Sequence, residues 1–96
     1  MDFSDIQKIA EIDLYEILNV NHKDDIRKIK KKYRKLVLKV HPDKPNGDKE
    51  VYELVNLSYT VLKNDKLRAL YDSARKEFLE NNKSFDLLKK DSNNNI

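Results

Sequence analysis

Six residues, Ile26, Ile29, Tyr33, Leu36, Val37 and Val40, follow one another at intervals of 3, 4, 3, 1 and 3. At about 100° per residue that spacing gathers them on one arc of an α-helix, roughly a quarter-turn wide. The rest of the helix carries Arg27, Lys28, Lys30, Lys31, Lys32, Arg34, Lys35 and Lys39, with no acid after Asp25. Leu38 breaks the pattern, an apolar side chain in the middle of the cationic face. The helix must stop at or just before His41. Pro42 has no N–H, and its ring drives the preceding residue away from the α conformation. His41 and Asp43 therefore stand two residues apart on a turn at the end of a basic rod.

The remaining chain supplies further helices. With one Gly and two Pro in 96 residues, it lacks the turn residues of a many-stranded fold. Residues 13–20 read as a compact helix capped by Asp13, with Leu14, Ile17 and Leu18 on one face. Asn19 falls where that helix ends and tolerates the left-handed conformation there. Pro42 through Gly47 form a stiff loop with an Asn-Gly turn signal. A third helix starts near Asp48 and buries Val51, Leu54, Val55, Ser58, Val61 and Leu62; Leu57 lies off this stripe and should matter less than Leu54. Asn64 caps a fourth helix carrying Leu67, Leu70, Tyr71, Ala74 and Phe78. Residues 1–12 form a leader with a short helical pattern, in which Ser4 and Gln7 fit a capping box. Residues 13–80 form the domain, and 81–96 a largely disordered tail. The expected fold is all-α: four helices, with an antiparallel pair, helices two and three, joined by the His41-Pro42-Asp43 loop.

Composition narrows the chemistry. No Cys is present, which removes disulfides, thiol catalysis and cysteine-ligated zinc. No apolar run reaches the roughly 18–20 residues of a membrane span, and the acidic N-terminus lacks the order of a signal peptide. The expectation is an intracellular, cytoplasmic, monomeric protein. His41 and Asp43 do not make an acid/base pair, because an exposed turn offers no buried pocket to tune a pKa. No catalytic residue, metal ligand or cofactor is assigned. Two binding readings remain. A helix with eight cations resembles an electrostatic footprint on phosphates. Nucleic acid is disfavoured, since the basic face has no Asn, Gln, Ser or Thr for base edges and no interleaved aromatic for stacking. A protein-docking surface explains cations, Leu38 and rigid loop together: charge steers an acidic partner, and Leu38 is an apolar anchor in a charged surround.

These residues resemble the J domain, the DnaJ-type co-chaperone module. The resemblance covers roughly Asp13 to Asp72. Leu14-Tyr15-Glu16-Ile17-Leu18-Asn19-Val20 is similar to the family's opening helix, and Ile29-Lys30-Lys31-Lys32-Tyr33-Arg34-Lys35-Leu36 to its second. His41-Pro42-Asp43-Lys44 is its signature loop. Val55 to Leu62 and Arg68-Ala69-Leu70-Tyr71-Asp72 follow in order as the third helix and the start of the fourth. The resemblance implies a co-chaperone that docks on an ATP-bound DnaK-type, seventy-kilodalton heat-shock chaperone and stimulates its ATP hydrolysis, promoting client binding and folding. It implies no catalytic group. His41, Pro42 and Asp43 would be the trigger, and Lys30, Tyr33, Arg34, Lys35, Leu38 and Lys44 the docking residues. The arc turns Tyr33 partly inward. The alternative is a basic helical module that binds nucleic acid or an acidic protein without ATPase stimulation.

This sequence departs from the family pattern in places. Asn19 replaces the usual Gly, Lys32 a small apolar residue, and Tyr52 the usual Phe; Glu53 stands where a basic residue often helps docking. The segment between the loop and the third helix is about one turn short. No Gly/Phe-rich linker, zinc module or client-binding domain follows in this sequence, which reads either as a nearly stand-alone J domain recruited through its short flanks, 1–12 and 73–96, or as a fragment of a longer chain.

Overall fold

A computed structural model of the protein describes residues 1–94, with side chains described for 1–82. The elements are α1 (Phe3–Ile9), α2 (Leu14–Ile17), α3 (Ile26–Val40), α4 (Lys49–Leu62) and α5 (Asp65–Asn94), with no strand among the described residues. The four helices expected from sequence are α2 to α5, and the leader adds α1. The chain divides into two compact units, residues 13–68 and residues 1–12 with 69–96.

The first unit holds the helix pair. Each helix starts on an aspartate that accepts from the first-turn backbone: Asp13 from Glu16 N–H in α2, Asp25 from Lys28 N–H in α3, and Asp48 from Glu50 and Val51 N–H in α4. A short side-chain acceptor satisfies donors that have no partner within the helix, and its charge suits the positive end of the dipole. Asn19 has φ 55°, the left-handed residue expected after α2. α3 and α4 pack together and run antiparallel. Val40 meets Asp48 through a backbone hydrogen bond of 3.0 Å, and further back along α3 the Tyr33 hydroxyl donates to Asn56 Oδ1 at 2.6 Å. α2 packs on α4 as well.

Leu14, Tyr15, Leu18, Ile29, Val55, Ser58, Val61 and Leu62 are buried in this unit. Ser58 is fully covered and donates its hydroxyl back to the Leu54 carbonyl at 2.8 Å, so the polar atom is satisfied inside the helix. Three details differ from the sequence pattern. Ile26 and Val51, counted on the apolar stripes, are exposed; both stand in the first turn of their helices, where little covers the stripe. Leu54 and Leu57 are both half-buried, so burial does not separate them: α4 packs against two helices, and its covered arc is wider than one stripe. Tyr15 is buried although it lies off the expected face, and its hydroxyl accepts from Arg68 Nε at 3.1 Å. Arg68 also donates to the carbonyls of Asp24 and His22, at 2.6 and 3.2 Å, and so ties the α2–α3 loop to the start of α5.

In the second unit, α1 is capped by Asp2 rather than by Ser4. Asp2 Oδ1 accepts from Asp5 N–H at 3.0 Å, and Asp5 Oδ2 accepts from Asp2 N–H at 3.1 Å, a reciprocal box one turn earlier than the Ser4–Gln7 pattern. Ile6 and Ala10 are buried. Carbonyls at the end of the leader are taken up by α5: Ala10 O accepts from Arg75 and Ile12 O from the Tyr71 hydroxyl. Tyr71 is fully buried, whereas Leu70, expected beside it on the stripe, is 44% exposed. Helical backbone continues to Asn94, past the point where the apolar pattern fades. The side chains of 83–96 and the backbone of 95–96 lie outside the described residues, and with them the expected division of a tail at Asn81.

Candidate functional site

α3 ends as its sequence requires. Val40 is its last residue, and His41 takes φ −54° and ψ 133°, the extended conformation that a following proline favours. His41 N–H still donates to Val37 O at 3.0 Å. The loop then folds back on itself. Lys44 N–H reaches His41 O at 2.9 Å, Gly47 N–H reaches Lys44 O at 3.0 Å, and Asp48 N–H closes onto Val40 O.

Gly47 is required here for space rather than for backbone angle. Its φ is not positive. A Cβ at this position would lie 1.9 Å from the His41 carbonyl oxygen and 2.7 Å from its carbon. Both atoms are backbone, so no side-chain rotation relieves the overlap. The single glycine of the chain thus lets the loop pass directly against His41.

The His41 side chain is anchored, not free. Its ring meets the Tyr52 ring edge-to-face, with centroids 5.0 Å apart and planes at 62°. Its Nδ1 accepts from Asp43 N–H at 3.1 Å. The imidazole lies outside the core, as expected, but its side chain is only 38% exposed because α4 supplies an aromatic wall beside it. Asp43 is the opposite, with a carboxylate side chain 91% exposed. Its Oδ2 lies 3.7 Å from His41 Nδ1, an ion pair only when the imidazole is protonated.

The basic face of α3 is open. Arg27, Lys28, Lys30, Lys31, Arg34, Lys35 and Lys39 are exposed, and Lys32 is half-buried at its edge. Among the described residues, the ion pair made by these cations is Lys28 with Asp24, at 3.7 Å. Leu38 stands 67% exposed among them. Lys44 is exposed in the loop, and Pro42 beside it. Lys30, Arg34, Lys35, Leu38 and Lys44 are thus accessible together on α3 and its loop.

Tyr33 is different. Its hydroxyl is engaged by Asn56, and its ring stacks on Tyr59 with centroids 4.0 Å apart and planes 9° from parallel. Burial raises its pKa above the usual tyrosine value, helped by the neighbouring Tyr52 and Tyr59. Tyr33 therefore faces α4, as the helical arc implies. Sequence reading missed the α4 side of the site, Tyr52, Asn56 and Tyr59. Their spacing, 52, 56 and 59, is a helical row that would have pointed to one face.

Residues 13–72 match the DnaJ domain family, well over half of the chain. The chain belongs to the DnaJ domain family. It is 49% identical over 73 residues to the chaperone protein DnaJ of Campylobacter jejuni, covering 73% of this chain and 20% of that protein. It is 49% identical over 72 residues to the chaperone protein DnaJ of Helicobacter pylori, with 72% and 20% covered. With the chaperone protein DnaJ of a Nitratiruptor species it shares 44% over 89 residues, 81% of this chain and 24% of the other. The chain spans about a fifth to a quarter of the length of these relatives. Among the described residues no helix is long and apolar enough to cross a membrane, and no cluster of His, Cys, Asp or Glu is placed to hold a metal.

Proposed function

We propose that this J domain docks on the ATP-bound form of a DnaK-type chaperone and accelerates its ATP hydrolysis, so that the chaperone closes on a client. The observation that carries this reading is the loop itself. His41, Pro42 and Asp43 are held in one conformation at the end of an open cationic face, by backbone bonds at 2.9–3.0 Å and by the Tyr52 ring. Lys30, Arg34, Lys35 and Lys44 steer and hold the partner, and Leu38 is the apolar anchor. Tyr33 contributes by shaping the α3–α4 ridge from within. Asp43, its side chain 91% exposed, meets the partner directly, and Pro42 fixes its position. The protein works as a monomer in the cytoplasm beside its chaperone.

The α3 sequence holds Lys and Arg around Leu38 and no Asn, Gln, Ser or Thr, a surface for an acidic protein with an apolar cleft rather than for base edges. The test is His41→Gln. The variant should keep the helicity of the native protein and lose stimulation of the partner ATPase. Normal stimulation by a folded His41→Gln protein would contradict the proposed trigger.

A further inference from the structure

His41 carries two constraints that do not come from the basic helix. The first is the hydrogen bond from Asp43 N–H to Nδ1, at 3.1 Å. A nitrogen that accepts carries no proton, so the neutral imidazole keeps its proton on Nε2. That nitrogen has no partner among the described residues and is left as the outward donor. The second constraint is the edge-to-face contact with Tyr52 at 5.0 Å and 62°. It matters because the first is insufficient. The outer torsion of a histidine is broad and has no sharp rotamer. One hydrogen bond to Nδ1 is a pivot about which the ring plane can still swing. A rigid aromatic wall beside the ring removes that swing.

Tyr52 is well suited to be that wall. It lies near the start of α4, where its own N–H bonds the Asp48 carbonyl at 2.8 Å, so its backbone is fixed immediately after the loop. Asp48 is in turn bonded to Val40, the residue before His41. The path from the ring of Tyr52 to the ring of His41 therefore crosses only short, hydrogen-bonded backbone. The contact uses the ring and not the hydroxyl.

We propose that Tyr52 is a positioning residue for the trigger: it holds the His41 imidazole in the orientation that presents Nε2–H to the docked chaperone. This rests on the function proposed above and deepens it. It assigns to α4 a role in stimulation that is separate from docking affinity.

The experiment compares the native protein with Tyr52→Phe and Tyr52→Leu. In the free protein at neutral imidazole, the ring current of residue 52 shifts the His41 side-chain proton resonances, and the ring nitrogen shifts report the Nε2–H tautomer. Tyr52→Phe should retain the proton shift, and Tyr52→Leu should lose it. In the ATPase assay Tyr52→Leu should lower the maximal stimulated rate about three- to tenfold, the scale of one aromatic pair, while Tyr52→Phe matches the native protein. The dissociation constant for the ATP-bound chaperone, measured in a His41→Ala background, should not change on Tyr52→Leu, because a residue acting only through His41 has nothing left to act on. If Tyr52→Leu loses helicity, Tyr52→Met replaces it. Unchanged His41 resonances in the folded variant would overturn the proposal. So would a native stimulated rate, or a weaker dissociation constant in the His41→Ala background, which would make Tyr52 a direct contact. Absence of stimulation by the native protein would instead defeat the proposed function, and the resonance comparison would still decide the positioning.

Discussion

Gly47→Ala tests how tightly the loop is closed. The added Cβ would sit 1.9 Å from the His41 carbonyl oxygen, about 1.5 Å short of ordinary van der Waals contact. The obstructing atoms are backbone, so the loop has to move by about that distance. Two bonds depend on its present path, Gly47 N–H to Lys44 O and Asp48 N–H to Val40 O, both 3.0 Å. Losing both costs about 1–3 kcal/mol, and the smaller entropy of the unfolded alanine chain returns roughly 0.4–1 kcal/mol. The net loss spans about 0–2.6 kcal/mol, and its middle value, about 1.3 kcal/mol, lowers the melting temperature of a domain of this size by roughly 5–10 °C. Thermal unfolding followed by circular dichroism measures this. Because the displaced atoms belong to His41, stimulation measured well below the melting temperature should also fall. A variant with native melting temperature and native stimulation would refute the steric argument. A gain in stability would do so more strongly, since that is what relief of glycine entropy alone predicts.

Three other outcomes follow from the same structure. Replacing Arg34 and Lys35 together by Ala should weaken docking more at low salt than at high salt, because both cations are exposed and screened by ions; titrations at two ionic strengths decide it, and an equal loss at both would count against electrostatic docking. Ile29→Ala should cost about 2–5 kcal/mol, since Ile29 is fully buried, whereas Ile26→Ala, at a position 40% exposed, should cost under about 1 kcal/mol; equal shifts in denaturant midpoint would show that the α3 arc is misplaced. The pKa of Tyr33 is raised above 10.0, so the folded state favours the neutral phenol. That contribution is complete below the unfolded value of about 10 and is lost as pH rises through the folded one, so alkaline unfolding should soften in Tyr33→Phe. An unchanged alkaline limb would remove Tyr33 from that account.

Much of this was legible in the sequence, for identifiable reasons. Periodicity alone placed α3, and Pro42 placed its end, because a proline's missing N–H acts locally and needs no tertiary context. Asn19 was legible on the same ground. The Asp13 cap followed from residue type and position. The misses fall at positions whose surroundings are set by a neighbour from elsewhere in the chain. Leu70 and Val51 belong to helical stripes but are exposed, because a stripe names a face and not what covers it. Tyr15 is buried because Arg68, 53 residues later, meets its hydroxyl. Gly47 reads in sequence as a turn signal, and only the approach of His41 shows that it is there for clearance. The contact between His41 and Tyr52 is hidden for the same reason: it crosses a loop.

The most direct test of the central claim is single-turnover ATP hydrolysis by a purified DnaK-type chaperone preloaded with ATP, with and without this protein. Acceleration is expected from the native chain and none from Asp43→Asn, which leaves the helices intact and alters a single, 91% exposed side chain of the loop. Equal acceleration by both, or none by the native protein with any of several such chaperones, would contradict it.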